Sequence, residues 1–386
     1  MTMNAAQFVT ALVESLRDVA PTRASLRFRA TCEPTVDEEL SRHWQADNLR
    51  RLARVPQQYS RLILSYLEGR ALSFERKYSD AMKSFEMSLS EALALALDGE
   101  DSWFIPVLNS TATNLRQCAM AADNTAAMLG EEEVAQPKAA KQLLSAFEEV
   151  QRGKKEATLC IANQLMRVYF HMKQTNLCKN IIVALSKPSF NKLSFPLPDA
   201  VTFSYFCGRY HVANSNLPEA VENFEFAFRM CHRDYTKNRR QILMYLVCAK
   251  LLRSKYPTAE LLDKHNLHEL VNVVMAIRQG NLRAFEEELD RNADFFMERG
   301  VYLLLERAKI IAYRNLLHRV WKIQEGARLH LSLVQVAFSV AGLEADLDEV
   351  ECIVANLIFG NFVRGYISHQ HQTLVLSKLD PFPRTS

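Results

Sequence analysis

Glycine and proline are scarce in this chain of 386 residues, with only 11 and 12 copies. Together with a hydrophobic content of 48%, this scarcity favours a mostly helical protein over a β-sandwich or a doubly wound sheet. Long apolar runs are also lacking, since no stretch approaches the roughly 18 uncharged residues that span a bilayer. Residues 1–10 have neither the basic start nor the apolar core of a signal peptide. We therefore expect a soluble, intracellular protein.

The motifs of common enzymes and metal sites are absent as well. The sequence has no Gly-rich phosphate loop, no H-E-x-x-H, no G-x-S-x-G and no aspartate-rich metal cluster. Its eight cysteines, which include Cys32, form no Cys-x-x-Cys pair, and we expect them to be small buried apolar groups. The close pair His369 and His371 falls in a polar turn, where solvated side chains are expected rather than zinc ligands. The prediction is a non-enzymatic protein without a metal or cofactor.

The last quarter of the chain has the pattern of a winged helix. Its best-defined helix begins at a capping box of Asp346 and Glu349 and ends at Gly360, where a left-handed residue commonly terminates a helix. The apolar stripe of that helix is Val350, Ile353, Val354, Leu357 and Ile358. Upstream, Ser332 is a candidate cap and Gly342 a candidate terminator of another helix. The shared face of this upstream helix is Leu333, Val336, Ala337 and Val340.

Two β-rich segments follow, VRGYIS at 363–368 and TLVLS at 373–377, and they flank a polar turn. They predict a β-hairpin, which would be the wing. We expect Ile367, Leu374 and Leu376 to close the core of the domain. Tyr366 lies on the opposite strand face from Ile367, so it is the residue predicted for an interface with a partner.

An internal repeat predicts helical hairpins of the tetratricopeptide type. The spacing Gly-x11-Ala-x3-Phe-x2-small occurs twice, and in such hairpins a small residue lets two helices approach while the aromatic ring fills the gap to the next hairpin. The first copy is Gly69, Ala81, Phe85 and Ser88, and the second is Gly208, Ala220, Phe224 and Ala227. A related hairpin at 273–296 turns at Gly280 and Asn281. The repeats are not regular, because the two copies are far apart.

The domain boundary is predicted in the proline-bearing break at 186–198. The predicted parts are 1–195, an N-terminal helical-repeat region, and 196–386, a second domain made of helical hairpins at 196–300 and a winged helix at 301–380. The helix at 301–323 is apolar on two faces, which predicts burial between two layers. The predicted fold is therefore mostly α-helical, a tetratricopeptide-like solenoid followed by a winged helix with a small β-hairpin.

Positive charge is unevenly distributed, although the net charge is only +3. The stretch 233–255 has seven basic residues against the single acid Asp234, and it could contact either a protein partner or nucleic acid. A polar stripe on the helix at 301–323 could line a phosphate backbone or simply be solvated. Its members are Arg307, Arg314, His318 and Lys322.

The third helix of a winged helix enters the major groove in DNA-reading proteins, but here it begins with acids. They are Asp346, Asp348, Glu349 and Glu351. Because carboxylates repel phosphates, we expect any nucleic-acid contact to use the wing and the helix at 301–323 instead. The predicted nucleic-acid residues are Arg314, Arg319, Lys322, Arg364 and Lys378.

Three tracts carry a resemblance to a known family. They are GNLRAFEEELDRNADFF, LLLERAKIIAYRNLLHRV and DEVECIVANLIFGNFVRGYISHQHQTLVLSKLDPFP. They resemble the C-terminal half of the PCI domain-containing protein 2 family, whose domain takes its name from the proteasome lid, the COP9 signalosome and a translation initiation factor. The region before residue 200 agrees in pattern more than in letters.

The resemblance implies a non-catalytic subunit of a nuclear-pore-associated complex that couples transcription to mRNA export. It also implies partners: a large GANP-type PCI scaffold, and a small acidic disordered subunit, shared with the proteasome lid, that clasps the helical region. The two winged helices would form a joint surface for RNA or DNA, in the nucleus and with the cytoplasm as a further location. The alternative is a structural PCI subunit of a proteasome-lid, signalosome or initiation-factor assembly without nucleic-acid binding.

Overall fold

The structure is a computed structural model, and it describes residues 59–98, 104–153, 155–186 and 190–383. The predictions for residues 1–10 and for Cys32 fall outside the described residues. The described residues form stacked helical hairpins followed by a small antiparallel sheet, as the sequence predicts. They divide into two compact units between Phe206 and Cys207.

The first unit is helical throughout its described residues. Its α-helices are α1 Ser60–Phe74, α2 Tyr78–Asp98, α3 Ile105–Leu129, α4 Ala135–Arg152, α5 Thr158–His171, α6 Cys178–Ala184 and the first part of α7 Leu197–Ala213. A buried carboxylate on α3 fixes the start of α4, because Asp123 accepts hydrogen bonds from the backbone N–H groups of Ala135 and Gln136 at 2.8 and 2.9 Å. These amides belong to the first turn of α4 and have no partner within the helix.

The second unit contains the rest of α7 and all later elements. Its helices are α8 Leu217–Met230, α9 Thr236–Leu251, α10 Ala259–Lys264, α11 Val271–Gln279, α12 Leu282–Arg291, α13 Ala293–Glu298, α14 Tyr302–Arg307, α15 Lys309–Gln324, α16 Leu331–Val340 and α17 Leu347–Phe359. Its strands are β1 Arg328–His330, β2 Gly365–Ser368 and β3 Thr373–Leu376. Helix α15 and every later element together form the winged helix.

The three strands form one antiparallel sheet in the order β1-β3-β2. The predicted wing is confirmed as β2 and β3, whereas β1 was not predicted. Only Leu329 of β1 points into the core, so the strand is too short to show an alternating pattern in the sequence. The core of the winged helix joins this sheet to α15, α16 and α17, and the predicted members Leu374 and Leu376 are both buried in it.

The repeated glycine and phenylalanine positions form the predicted close contacts between helices. A Cβ atom at Gly69 would lie 2.7 Å from the ring of Phe85, and one at Gly208 would lie 2.6 Å from the ring of Phe224. Both rings are buried, and Phe224 also stacks on Tyr245 of the next helix with 5.5 Å between the ring centroids. Any residue with a Cβ atom would therefore collide with the ring that covers each glycine.

Two of the three predicted glycine stops have the expected conformation. Gly280 has φ +68°, and the side chain of Asn281 then accepts a hydrogen bond from the N–H of Ala284 to start α12. Gly342 ends α16 with φ +99°. The expectation for Gly360 is wrong, because its φ is −74° and the left-handed residue is its neighbour Asn361, with φ 55°.

The segment at 301–323 is buried on two faces as predicted, but it is two helices, α14 and α15, with a turn at Ala308. One apolar band includes Ile311 and Ala312, the other includes Leu305 and Leu317, and all four side chains are buried. None of the described helices is long and apolar enough to cross a membrane. The boundary between the two units lies within α7, while the predicted boundary at 195/196 lies before this helix and stays a prediction.

We predict that Gly208→Ala lowers the melting temperature of the full chain. Alanine gains up to about 1 kcal/mol of helix propensity over glycine, but its methyl group must displace the Phe224 ring, and overpacking a core costs typically about 1–3 kcal/mol. The measurement is thermal unfolding followed by circular dichroism. The matched control is Gly326→Ala, where the nearest atoms would be 3.9 Å from the new Cβ. An unchanged or higher melting temperature for Gly208→Ala would contradict the proposed contact.

Candidate functional site

The acidic side chains at the start of α17 make their contacts within the winged helix. Asp346 accepts a hydrogen bond from the N–H of Glu349 at 2.8 Å, and the carboxylate of Glu349 accepts one from the N–H of Asp346 at 3.2 Å, so the predicted capping box is confirmed. The carboxylate of Glu351 lies 3.0 Å from Nδ1 of His369 in the wing turn. These acids stabilise the positive end of the helix, and they keep negative charge where a DNA-reading helix would meet phosphates.

Helix α16 exposes most of the apolar face that the sequence predicts for it. Leu331, Val334 and Phe338 are the buried side chains of this helix. Three side chains of the predicted face are exposed, at 40% for Leu333, 59% for Val336 and 82% for Val340, whereas the fourth, Ala337, is partly buried against the core. The predicted cap is also wrong, because the residue before the helix is His330, and its side chain makes no capping hydrogen bond. The result is a row of aliphatic side chains in water on one face of α16.

The outer face of the sheet carries Tyr366, whose side chain is 63% exposed. Val375 of the central strand pairs with Tyr366 on one side and with Arg328 on the other, so the three side chains form a row across the sheet. Ile367 points the other way and packs against the core, as predicted. Sequence reasoning found Tyr366 but missed Arg328, because the short strand β1 that places it was not recognised.

Arg314 is buried rather than exposed to a phosphate. Its side chain has 8% of its surface accessible, and Nη2 donates hydrogen bonds to the carbonyl oxygens of Phe382 and Pro383 at 2.9 and 3.0 Å. Burial lowers the pKa of its guanidinium. Nη1 donates to the side chain of Asn315 at 3.2 Å. Arg314 therefore holds the C-terminal segment, residues 378–383, on α15. Because it is buried, its side chain is not accessible to nucleic acid.

The same segment is held by a cluster of rings. The ring of Phe382 lies 4.8 Å from that of His318 and 5.5 Å from that of Trp321, measured between centroids. Burial, together with the nearby charges of Lys322 and Arg314, lowers the pKa of His318, so this ring is neutral at neutral pH. The predicted polar stripe of α15 is therefore interrupted, since the C-terminal segment covers its middle.

The four remaining predicted cations are exposed, and three of them lie beside the C-terminal segment. Lys322 directly follows Trp321, whose ring contacts Phe382. The backbone N–H of Arg364 donates to the carbonyl of Pro381 at 2.8 Å. Lys378 is the first residue of the segment 378–383, which runs from the wing to α15. Arg364 thus contacts this segment, Lys378 begins it, and Lys322 follows a residue whose ring packs on its end.

Two of these cations are partly engaged in the protein itself. The guanidinium of Arg364 lies 3.4 Å from the carboxylate of Asp380, in an exposed ion pair that contributes little to stability. Arg319 donates to the carbonyl oxygen of Gln279 at 2.6 Å, so it faces the end of α11 rather than the C-terminal segment. Among the predicted residues, Lys322 and Lys378 have no ion pair within the described part of the chain.

The basic residues of the stretch 233–255 do not share one role in the structure. Lys250 pairs with Glu225 at 2.6 Å, and Arg240 pairs with Glu269 at 2.7 Å. Arg233 and Lys237 are exposed and line a cleft near the start of α9. Within the described residues, the members of the stretch without an ion pair include Arg233 and Lys237 at the start of α9 and Arg253 and Lys255 after its end.

Within the described ranges, the cysteine and histidine side chains form no reactive or metal-binding cluster. Six of the cysteines described there are buried, and Cys352 is exposed. Burial raises the pKa of the Cys118 and Cys248 thiols to about 12, which keeps them protonated. Between residues 59 and 383, as far as the structure describes them, no three metal-ligating side chains come together.

Comparison with known proteins identifies a PCI domain at residues 289–378, a range that includes the winged helix as far as β3. The chain is 38% identical over 299 residues to "PCI domain-containing protein 2" of Xenopus laevis, with 74% of each chain covered. It is 34% identical over 296 residues to the homologue of Drosophila melanogaster, again with 74% of each chain covered. A similar protein of Neurospora crassa, "Protein CSN12 homolog", is 32% identical with the same coverage.

We predict that Arg314→Met destabilises the winged helix and releases the C-terminal segment. Methionine keeps much of the apolar stem but cannot donate to the two carbonyl oxygens, and burying groups without partners costs about 1–3 kcal/mol each. Limited digestion with carboxypeptidase should therefore shorten the variant faster than the wild type, and its melting temperature should fall. Lys322→Met, one turn beyond His318, is the control and should change neither. Equal digestion of Arg314→Met and wild type would show that Arg314 does not hold the segment.

Proposed function

The chain belongs to the PCI domain-containing protein 2 family, and we propose that it is a non-catalytic subunit of a nuclear-pore-associated complex for transcription-coupled mRNA export. In this proposal its winged helix pairs with a GANP-type PCI scaffold, and the pair contributes a joint surface for RNA or DNA. A small acidic disordered subunit binds its helical region. The protein then resides in the nucleus at the pore, with the cytoplasm as a further location.

The observation that carries the proposal is the exposed aliphatic face of α16. Leu333, Val336 and Val340 belong to a folded helix whose opposite face is already buried, so within the described residues their own face remains in water. Burying apolar surface is favourable by about 25 cal/mol per Å², and apolar residues grouped on a surface often mark a protein interface. A second winged helix with a similar apolar face would cover this row.

The outer face of the sheet supports a larger contact. Tyr366 offers an amphipathic ring of the kind that is enriched at interfaces, and Arg328 lies on the same face two strands away. These side chains add an aromatic and a cationic contact to the aliphatic row of α16. An interface that used both elements would combine apolar and polar contacts, as stable protein pairs do.

The nucleic-acid part of the proposal rests on Lys322, Arg364 and Lys378. Lysine and arginine side chains bind phosphates without reading the base sequence, and this binding weakens as salt rises. Because the acids of α17 repel phosphates, we propose that the RNA or DNA strand lies along the C-terminal segment, where it would meet these cations. Three cations give only a small contact, which agrees with a surface that is completed by a partner.

A structural PCI subunit without nucleic-acid binding is the second candidate. It is favoured by the intramolecular contacts of the cations, since Arg314 is buried and Arg319 and Arg364 are hydrogen-bonded or ion-paired within the chain. The two candidates share the pairing through the winged helix. They differ in whether the exposed lysines contribute to RNA binding.

We predict that Val336→Asp abolishes co-purification with the GANP-type scaffold. A carboxylate in the centre of an apolar interface loses its hydration without gaining a partner, which is costly. The side chain is exposed in the free chain, so the melting temperature of the isolated protein should change little. Ala355→Asp on the exposed side of α17 is the control and should keep the complex. If Val336→Asp still recovers the scaffold in wild-type amounts, α16 is not the pairing surface.

We predict that Lys322→Glu combined with Lys378→Glu weakens RNA binding by the assembled pair. The slope of log affinity against log salt should fall by about 1 for each lost phosphate contact. Fluorescence anisotropy with a labelled single-stranded RNA at several salt concentrations measures both quantities. Lys141→Glu with Lys179→Glu, in the first unit, makes the same charge change and should leave the slope unaltered. A slope that is the same in all three proteins favours the purely structural candidate.

A further inference from the structure

The second unit contains a cleft of about 520 Å³ at the start of α9, outside the winged helix. One wall is formed by the turn before α9 and its first residues, and the other by the end of α10 and the turn that follows it. Five of the residues that line the cleft are lysine or arginine, and none is aspartate or glutamate. They are Arg233, Lys237, Arg239, Arg240 and Lys264.

Most of this positive charge is not neutralised. Only Arg240 has a carboxylate partner, Glu269, at 2.7 Å. Arg233, Lys237 and Lys264 are exposed and have no ion pair within the described residues. The acids next to them in the sequence do not line the cleft: Asp234 lies 3.4 Å from His232, and Asp263 lies 3.6 Å from His268.

Two arginines of the lining, Arg239 and Arg240, are held in place by backbone carbonyl groups, and Arg240 also by Glu269. Arg239 donates to the carbonyl oxygens of Cys231 and Phe228 at 2.7 and 3.1 Å, and its guanidinium lies 4.3 Å from the centre of the Phe228 ring. Arg240 donates to the carbonyl oxygen of Asn266 at 2.8 Å. These contacts fix the direction of the side chains without cancelling the charge of Arg239. Such fixed donors lose little conformational freedom when they bind an anion.

Two further features make the cleft electropositive. Thr236 and Lys237 are the first residues of α9, a helix of 16 residues, so its positive end faces the cleft, and the residue before it supplies no side-chain cap. His265, on the opposite wall, has a lowered pKa because of burial and then because of the charges of Arg239 and Lys264. The ring is therefore neutral at neutral pH, as expected beside an excess of cations.

The lining also indicates the type of ligand. It contains no Leu, Ile, Val, Met, Phe or Trp side chain, so it offers no anchor for an apolar ligand or an amphipathic peptide. A nucleic-acid strand is usually bound along an open groove with stacking aromatic rings, and here His265 is the sole ring in the lining. The volume is in the range of small-molecule pockets, about 300–1,000 Å³. The cations converge on one compact space.

We propose that this cleft binds a compact molecule that carries several phosphate groups. The phosphates would be bound by Arg233, Lys237 and Arg239 on one wall and by Lys264 on the other. The same chemistry occurs in free inositol polyphosphates and in phosphoinositide headgroups of lipids. This site uses none of the residues of the winged helix, so its failure and the failure of the winged-helix surfaces proposed above are separate outcomes.

The test is titration calorimetry of the full chain with inositol hexakisphosphate, and with sulfate as a single anion. Saturable binding should be seen, and Arg233→Gln with Lys237→Gln should weaken it by at least about tenfold, which corresponds to roughly 1.4 kcal/mol. Lys264→Gln, on the opposite wall, should weaken it as well. Arg278→Gln with Arg307→Gln removes the same charge from exposed helix positions away from the cleft and should change the affinity less than about twofold. Unchanged melting temperatures without ligand show that the variants fold.

Vesicles with phosphatidylinositol bisphosphate provide a second arm. If they bind through the same residues, the ligand can be a lipid headgroup, and if only the soluble probe binds, it is a free polyphosphate. The proposal is overturned if no saturable binding occurs, if sulfate binds as tightly as the polyphosphate, or if the control variant loses as much affinity as the cleft variant. It is also overturned if polyglutamate or a single-stranded RNA binds through these residues while inositol hexakisphosphate does not.

Discussion

The second unit depends on the burial of both faces of helix α15. One face packs on α11 and α12, and the other contributes Leu317 and Val320 to the core of the winged helix. A helix between two layers can keep polar residues only where each finds hydrogen-bond partners. Asn315 donates to the carbonyl oxygen of Ile277 at 2.8 Å and to the hydroxyl oxygen of Tyr256 at 2.7 Å, and Arg314 donates to the C-terminal segment. The polar positions of α15 thus connect the layers.

This constraint decides which cations are available for function. Arg314 and Lys322 lie on the same side of α15, yet the C-terminal segment covers only the first. The covered arginine fixes the end of the segment, and the backbone of Arg364 contacts the same segment at Pro381. A buried residue therefore contributes to the proposed phosphate contact indirectly, because it holds the segment that contains Lys378 and contacts Arg364.

Much of this architecture is predictable from the sequence because it is determined locally. The capping box of α17, its apolar stripe, the two strands of the wing and the glycine–phenylalanine spacing all follow from residues close together in the chain. Helix α16 shows where this approach fails, because LSLVQVAFSV has apolar residues on every side and periodicity cannot choose the buried face. The burial of Arg314 could not be predicted either, since its carbonyl partners lie 68 and 69 residues further along the chain.

The distribution of charge on the winged helix favours a protein as the first partner and nucleic acid as the second. Carboxylates occupy the start of α17, the position from which a DNA-reading winged helix contacts phosphates, and they are needed there to cap the helix and to hold the wing turn. Covering the aliphatic row of α16 with another protein, by contrast, would remove apolar surface from water and lower the free energy. The exposed lysines lie on other elements, Lys322 at the end of α15 and Lys378 after β3. Because pairing and phosphate contact use different side chains, a partner on α16 leaves these lysines free to contribute to a shared surface.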